Sequence, residues 1–206
     1  MPEGFLDVPV VRQRRDFSCG AAATLALLRY WLPDAYAATE EGALYGPLGT
    51  TEARGTEPEP IVAFLRHNGL DARYRHTDVT VADLERAVDA REPPIVDLQA
   101  WTDHGAPYAE TWDAGHYVLL VGYDDKRLYF VDPSSMTPTG HAFLARGEFD
   151  ERWHDLAGEQ DQRVRRMAVF VRGVRGARPP GPGLARAVDR DAGSSQATPA
   201  NAVRLG

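Results

Sequence analysis

The sequence predicts an α+β fold, with N-terminal helices packed on a mostly antiparallel C-terminal sheet. Three observations point there. Apolar residues recur at helical spacing in several segments of the first 90 residues. Two apolar, β-branched and aromatic runs, joined by Asp124-Asp125-Lys126-Arg127, carry a strong antiparallel hairpin signal. A further β-rich run, "VRRMAVFV", follows at 164–171. Helices early and strands late is the order of an α+β domain.

The first element is "FLDVPVVRQ", short and β-branched, which reads as an extended opening segment. From Ser18 the period changes. Ala21, Leu25, Leu28 and Leu32 fall on one side of a helix, with Ser18 as its N-cap and Pro33 as its stop. Ala22, Ala23 and Ala26 are small enough for close packing, so this should be the central buried helix. "YAATEEGALYG" predicts a weaker helix ended near Gly46 and Pro47. "LGTTEARGTEPEP" reads as a polar loop able to border a cleft. "EPEPIVAFLRHNG" then predicts a helix with Ile61, Phe64 and Leu65 inward and Asn68-Gly69 as its stop.

"DARYRH" is a strand candidate, and "TVADLERAVDA" a helix capped by Thr80 with Val81, Leu84 and Val88 on one face. "PPIVDLQAW" predicts a strand introduced by prolines. "WTDHGAPYAETWDAGH" is a polar approach to the hairpin, read as a loop lining a cleft. After the hairpin, "GEFDERWHDL" predicts a short helix and "VRRMAVFV" the closing strand. Residues 1–174 therefore form one domain. Residues 175–206, rich in Gly, Pro and Ala without apolar period, read as a disordered or loosely attached tail.

Composition narrows the function. With 206 residues and a net charge of −7, neither nucleic acid nor an anionic membrane surface suits as the main partner. One cysteine cannot form an internal disulfide. No apolar run approaches membrane-spanning length, and the first residues lack a signal-peptide layout, so a cytoplasmic location is the expectation.

That cysteine, Cys19, stands at the start of the central helix. Free backbone N–H groups and the helix dipole favour a thiolate there, and a nearby imidazolium would favour it further. Of six histidines, His116 opens the apolar strand "HYVLLVGY", so the strand anchors its ring at a sheet end. In a tight hairpin that end lies beside the end of "RLYFVDP", which places Asp132 next to His116 as the group that orients the ring. Gln13, six residues before Cys19, could join the Cys19 N–H in stabilising an oxyanion. Each residue alone has an ordinary reading as packing, surface or turn chemistry; their joint order points to one site. No cofactor is implied. Asp103, His104, Asp113 and His116 are close in sequence but lack the spacing of a zinc site.

"QRRDFSCGAAATLALLRYW", "AGHYVLLVGYDDKRLYFVDPSS" and "GEFDERW" together resemble the C39-like branch of papain-like cysteine peptidases, over about residues 8–156. Its best-known members remove double-glycine leader peptides from bacteriocin precursors. The resemblance implies a papain-like fold, with Cys19 as nucleophile, His116 as general acid/base, Asp132 as orienting residue and Gln13 as oxyanion donor. The chain carries no transporter segments and so resembles a stand-alone form. The implied partner is a peptide or amide substrate. Hydrolysis, acyl transfer through the same acyl-enzyme, and peptide binding without catalysis stay open, as does the oligomeric state.

Overall fold

The computed structural model describes residues 5–102, 105–158 and 160–177. The predicted tail beyond residue 177 lies outside them, as do Asp103 and His104. Arg175 and Gly176, the start of that tail, pack on the first helix: the Arg175 guanidinium sits 4.4 Å from the Tyr30 ring centroid, and Gly176 N–H donates to Trp31 O.

Helix α1 (Cys19–Trp31) is central, and every one of its residues except Arg29 is buried. A helix apolar on all sides must be enclosed on all sides. Its alanines allow that enclosure by the sheet and by its helical neighbours. Ser18 holds the N-cap position but not the capping role, since its hydroxyl bonds Arg15 instead. The N–H groups of the first turn thus receive no side-chain cap. Pro33 does end α1, and it also begins the short α2 (Pro33–Tyr36). The weak helix expected near 36–46 is fragmented. It becomes a 3-10 turn at Glu41–Leu44 and α3 (Tyr45–Leu48), which contains Pro47 and closes at Gly49 with φ +62°. Glycine adopts that left-handed conformation without steric cost.

Helix α4 (Pro58–His67), strand β1 (Asp71–Arg75), helix α5 (Val81–Asp89) and strand β2 (Ile95–Gln99) follow the predicted pattern. Thr80 and Asp83 form a reciprocal capping box on α5. The hairpin is β3 (Gly115–Tyr123) and β4 (Arg127–Val131), with a bulge between Leu120 and Gly122.

Strand β5 (His141–Ala145) was not foreseen. "GEFDERWHDL" and "VRRMAVFV" each divide. The former gives helix α6 (Arg146–Arg152) and then β6 (His154–Ala157); the latter ends β7 (Gln162–Arg165) and supplies β8 (Ala168–Arg172). The six-stranded sheet has the order β1-β8-β2-β3-β4-β5 with every pair antiparallel, and β6-β7 form a separate ribbon. Among the described residues no helix is long and apolar enough to cross a membrane.

The opening segment crosses the sheet without joining it. Leu6 N–H donates to Val121 O at 2.8 Å, and Phe5 meets Tyr129 edge-on at 4.7 Å. Gly122 makes this possible, because a Cβ there would lie 1.9 Å from the Phe5 ring. Further on, Arg12 donates to Ser134 O and Pro138 O, and Gln13 N–H to Pro133 O. The segment is thereby tied to the loop after β4, and it brings Cys19 to the end of the sheet where β3 starts.

Candidate active site

His116 sits at the start of β3, opposite Leu98 of β2, and is buried. Asp132 follows the last residue of β4. The hairpin brings the two together as its register requires: His116 Nε2 and Asp132 Oδ1 are 2.7 Å apart. Asp132 Oδ1 also accepts Ser134 N–H at 2.8 Å, and Oδ2 accepts the Thr137 hydroxyl. These donors fix the carboxylate, which in turn fixes the ring. With Nε2 taken, Nδ1 is the nitrogen left for Cys19, which stands at the start of α1 near enough to raise His116.

The electrostatics follow from this arrangement. Burial alone would lower His116, but the hydrogen bond that it donates to Asp132, with the pull of Cys19 and Asp132, outweighs it and pushes it up to about 10. Burial alone would raise Asp132, but the His116 hydrogen bond and charge, with Thr137 and Ser134, hold it below the usual carboxylate value. The pair is therefore an imidazolium and a carboxylate across neutral pH.

A raised histidine stabilises the fold fully below its unfolded value of 6.5, and that contribution is lost as pH rises through about 10. The lowered Asp132 has the opposite sign and loses its contribution only in acid. Between about pH 7 and about pH 10, wild-type protein should lose more unfolding free energy than His116→Ala. Urea denaturation at the two pH values checks this; equal losses would mean that His116 carries no raised proton affinity.

Gln13 reaches the same cavity wall as His116 and Asp132. Its Nε2, however, donates to Arg15 O at 2.9 Å and Asp16 O at 3.2 Å, shaping the turn before Cys19. Its buried Oε1 has no partner among the described residues. Donation to an oxyanion requires one of those amide hydrogens to turn from its carbonyl.

Two clefts flank the nucleophile position, and Asp16 and Gly115 line both. The His116 side, about 400 Å³, is largely apolar, with Leu98, Phe130 and Leu144 inside and Trp101 and Met136 exposed at the rim. The Cys19 side, about 270 Å³, is acidic, with Asp16, Glu57, Asp97, Asp113, Asp155 and Asp161 on its walls. The polar loop at 52–60 does border this cleft, where Arg54 pairs with Glu57 and Asp161. The long approach to His116 lines both clefts, through Trp101 in one and Trp112 and Asp113 in the other.

Gly20 gives its space to the protein itself, because a Cβ there would lie 2.7 Å from Thr56 Cβ and 3.1 Å from the Tyr117 ring. The small residues after Cys19 therefore serve packing, not substrate access, as Ala21 is fully buried too. Asp97 and Asp155 are site residues that sequence reasoning missed. The signal for Asp97 was a lone carboxylate inside the apolar run "PPIVDLQAW"; Asp155 fell in a segment read as helix. Among the described residues no group of three or more His, Cys, Asp or Glu side chains is placed to hold a metal ion.

The family described as "Peptidase_C39 like family" matches residues 5–160. No curated protein matches the chain. Among solved structures, a double-glycine-motif protease from an AMS/PCAT transporter, in complex with the leader peptide, is similar at 18% identity and TM-score 0.52. The match covers 84% of this chain and 97% of that one. A putative C39-like peptidase from Bacillus anthracis is similar at 16% identity and TM-score 0.55, over 82% of this chain and 96% of that one. The peptidase domain of Streptococcus ComA, a bi-functional ABC transporter in a quorum-sensing pathway, is similar at 17% identity and TM-score 0.55. That match covers 81% of this chain and 98% of that one.

Proposed function

The chain belongs to the Peptidase_C39 like family, and from that premise we propose that it is a cysteine peptidase working through Cys19, His116 and Asp132. The Cys19 thiolate attacks an amide carbonyl. His116 gives its proton to the departing amine and then activates water to release the acyl group. Asp132 keeps the imidazolium ring aimed at Cys19. The uncapped N–H groups at the start of α1 face the developing oxyanion, and Gln13 adds an amide hydrogen if it turns from Asp16 O, the longer of its two bonds.

The observation that carries this reading is the His116–Asp132 contact at 2.7 Å, with Cys19 at the start of α1 near enough to raise His116. A peptide substrate is supported by the similar protease seen with a leader peptide, and by a cleft that is apolar inside with exposed Trp101 and Met136 at its rim. Side chains of an extended peptide are what such a groove accommodates.

Incubation with a diverse peptide library, followed by mass spectrometry of the products, tests the proposal. Cleavage by wild-type protein that disappears in Cys19→Ala is the expected result. Cleavage that survives Cys19→Ala would remove Cys19 from the chemistry.

A further inference from the structure

Two carboxyl groups, one buried and one half-buried, stand beside the site, and no step above uses them. Asp97 lies in β2, where every residue is buried, and is 3% exposed. Asp155 comes from the separate ribbon, in β6. Both side chains stand against consecutive residues, His116 for Asp97 and Gly115 for Asp155, and line one cleft; two carboxylates so placed repel each other unless they share a proton.

Their other contacts converge on the residues around His116. Asp97 Oδ1 accepts the His116 backbone N–H at 2.9 Å. Asp155 stands against Gly115, where a Cβ would lie 1.9 Å from its Oδ2. Gln99 links the arrangement, donating to Asp155 Oδ1 at 2.9 Å and to His154 O at 3.0 Å while its Oε1 accepts Ala114 N–H at 3.0 Å. Three consecutive residues, Ala114 to His116, are thus set by side chains from β2 and β6.

We propose that Asp97 and Asp155 form a proton-sharing carboxyl pair that positions His116 through its backbone and keeps further negative charge away from Cys19. The pair rests on the reading of Cys19 and His116 as the reacting residues. Its location gives the second half of the role physical content. Cys19 of α1, Tyr117 and His116 of β3, and Glu57 of the 52–60 loop all face the pair, and Asp16, Asp113 and Asp161 share its cleft. Arg54 is the one cation among the described residues of this cleft and is already paired with Glu57 and Asp161; a carboxylate at buried Asp97 next to a thiolate therefore raises the energy of both, whereas a shared proton removes one of the charges. Burial first, then Asp155 and Cys19, push Asp97 well above the ordinary carboxylate value, and burial raises Asp155 as well.

The test is the pH profile of Cys19 alkylation by iodoacetamide in the folded protein. Asp97→Asn stays neutral and still accepts the His116 N–H, so its plateau rate should fall within about threefold of wild type. Asp97→Ala leaves that N–H without its acceptor and should lower the plateau rate at least about tenfold. Asp155→Asn has no proton to share but donates to Asp97, which then ionises beside Cys19. The half-maximal pH of alkylation should rise by about one unit.

A wild-type rate in Asp97→Ala, or a wild-type pH profile in Asp155→Asn, overturns the proposal. So does an Asp97→Asn protein as impaired as Asp97→Ala. A purely structural role would lower the melting temperature of Asp155→Asn without moving the profile. His116→Ala separates the two levels of inference: if it leaves alkylation unchanged, the catalytic reading itself fails; if it slows alkylation while the aspartate variants do not, only the carboxyl pair fails.

Discussion

His116→Ala should slow alkylation of Cys19 by iodoacetamide at about pH 6 by on the order of a hundredfold. An ordinary cysteine, with a value of about 8.5, holds less than about 1% thiolate at that pH. In this protein the imidazolium beside Cys19 is held up to about 10, so it stays charged there and stabilises the anion. Removing it leaves only the helix N-terminus, which contributes about 1 kcal/mol or less at a typical site. The uptake of a single carbamidomethyl group, followed by intact-mass spectrometry, reads the rate. Equal rates in wild type and variant would mean that His116 and Cys19 are neighbours without an ion pair.

Asp132→Ala is expected to lower kcat/KM for peptide cleavage by about a hundredfold to a thousandfold, with Asp132→Asn considerably less impaired. The reason lies in the bonds the side chain makes. Asp132 accepts from His116 Nε2, Ser134 N–H and the Thr137 hydroxyl. Alanine removes all three acceptor contacts, and the ring loses both its orientation and its stabilised charge. Asparagine keeps Oδ1 for His116 and Ser134 and offers Nδ2 to the Thr137 hydroxyl, which can accept. It forfeits only the charge. Steady-state kinetics of both variants, with melting temperatures as a control for the 132–137 loop, check this. Equal impairment of the two would show that the charge of Asp132, not its geometry, does the orienting.

The way the site assembles explains how much of it was legible in the chain. His116 and Asp132 could be paired from sequence because a tight hairpin fixes its own register, and the short Asp124–Arg127 connection left few alternatives. Cys19 was legible because α1 begins where the apolar period begins. Helix α5, with its Thr80 cap and strict apolar face, was equally local information.

What escaped was non-local or decided by packing. Strand β5 alternates exposed and half-buried residues with none fully buried, and it is defined by β4 beside it. "WHDL" has no strand pattern of its own; it becomes β6 because β7 pairs with it. Asp155 therefore could not be assigned to the site before the ribbon was known. The Ser18 hydroxyl had two partners within reach, and the turn at Arg15 won over the helix N–H groups. Gly20 illustrates the same limit. Its missing side chain was legible, but that Thr56 fills the space depended on a loop more than thirty residues away.

Catalysis through Cys19 requires a covalent acyl intermediate on its sulfur. Mixing the protein with a peptide substrate found in the library, quenching in acid within the first turnover and mapping the adduct by mass spectrometry tests it most directly. An acyl mass on Cys19, equal to the N-terminal fragment of the peptide, is expected in wild type and is absent from Cys19→Ala. Turnover of the same peptide with Cys19 unmodified throughout, or with the acyl mass on another residue, would contradict it.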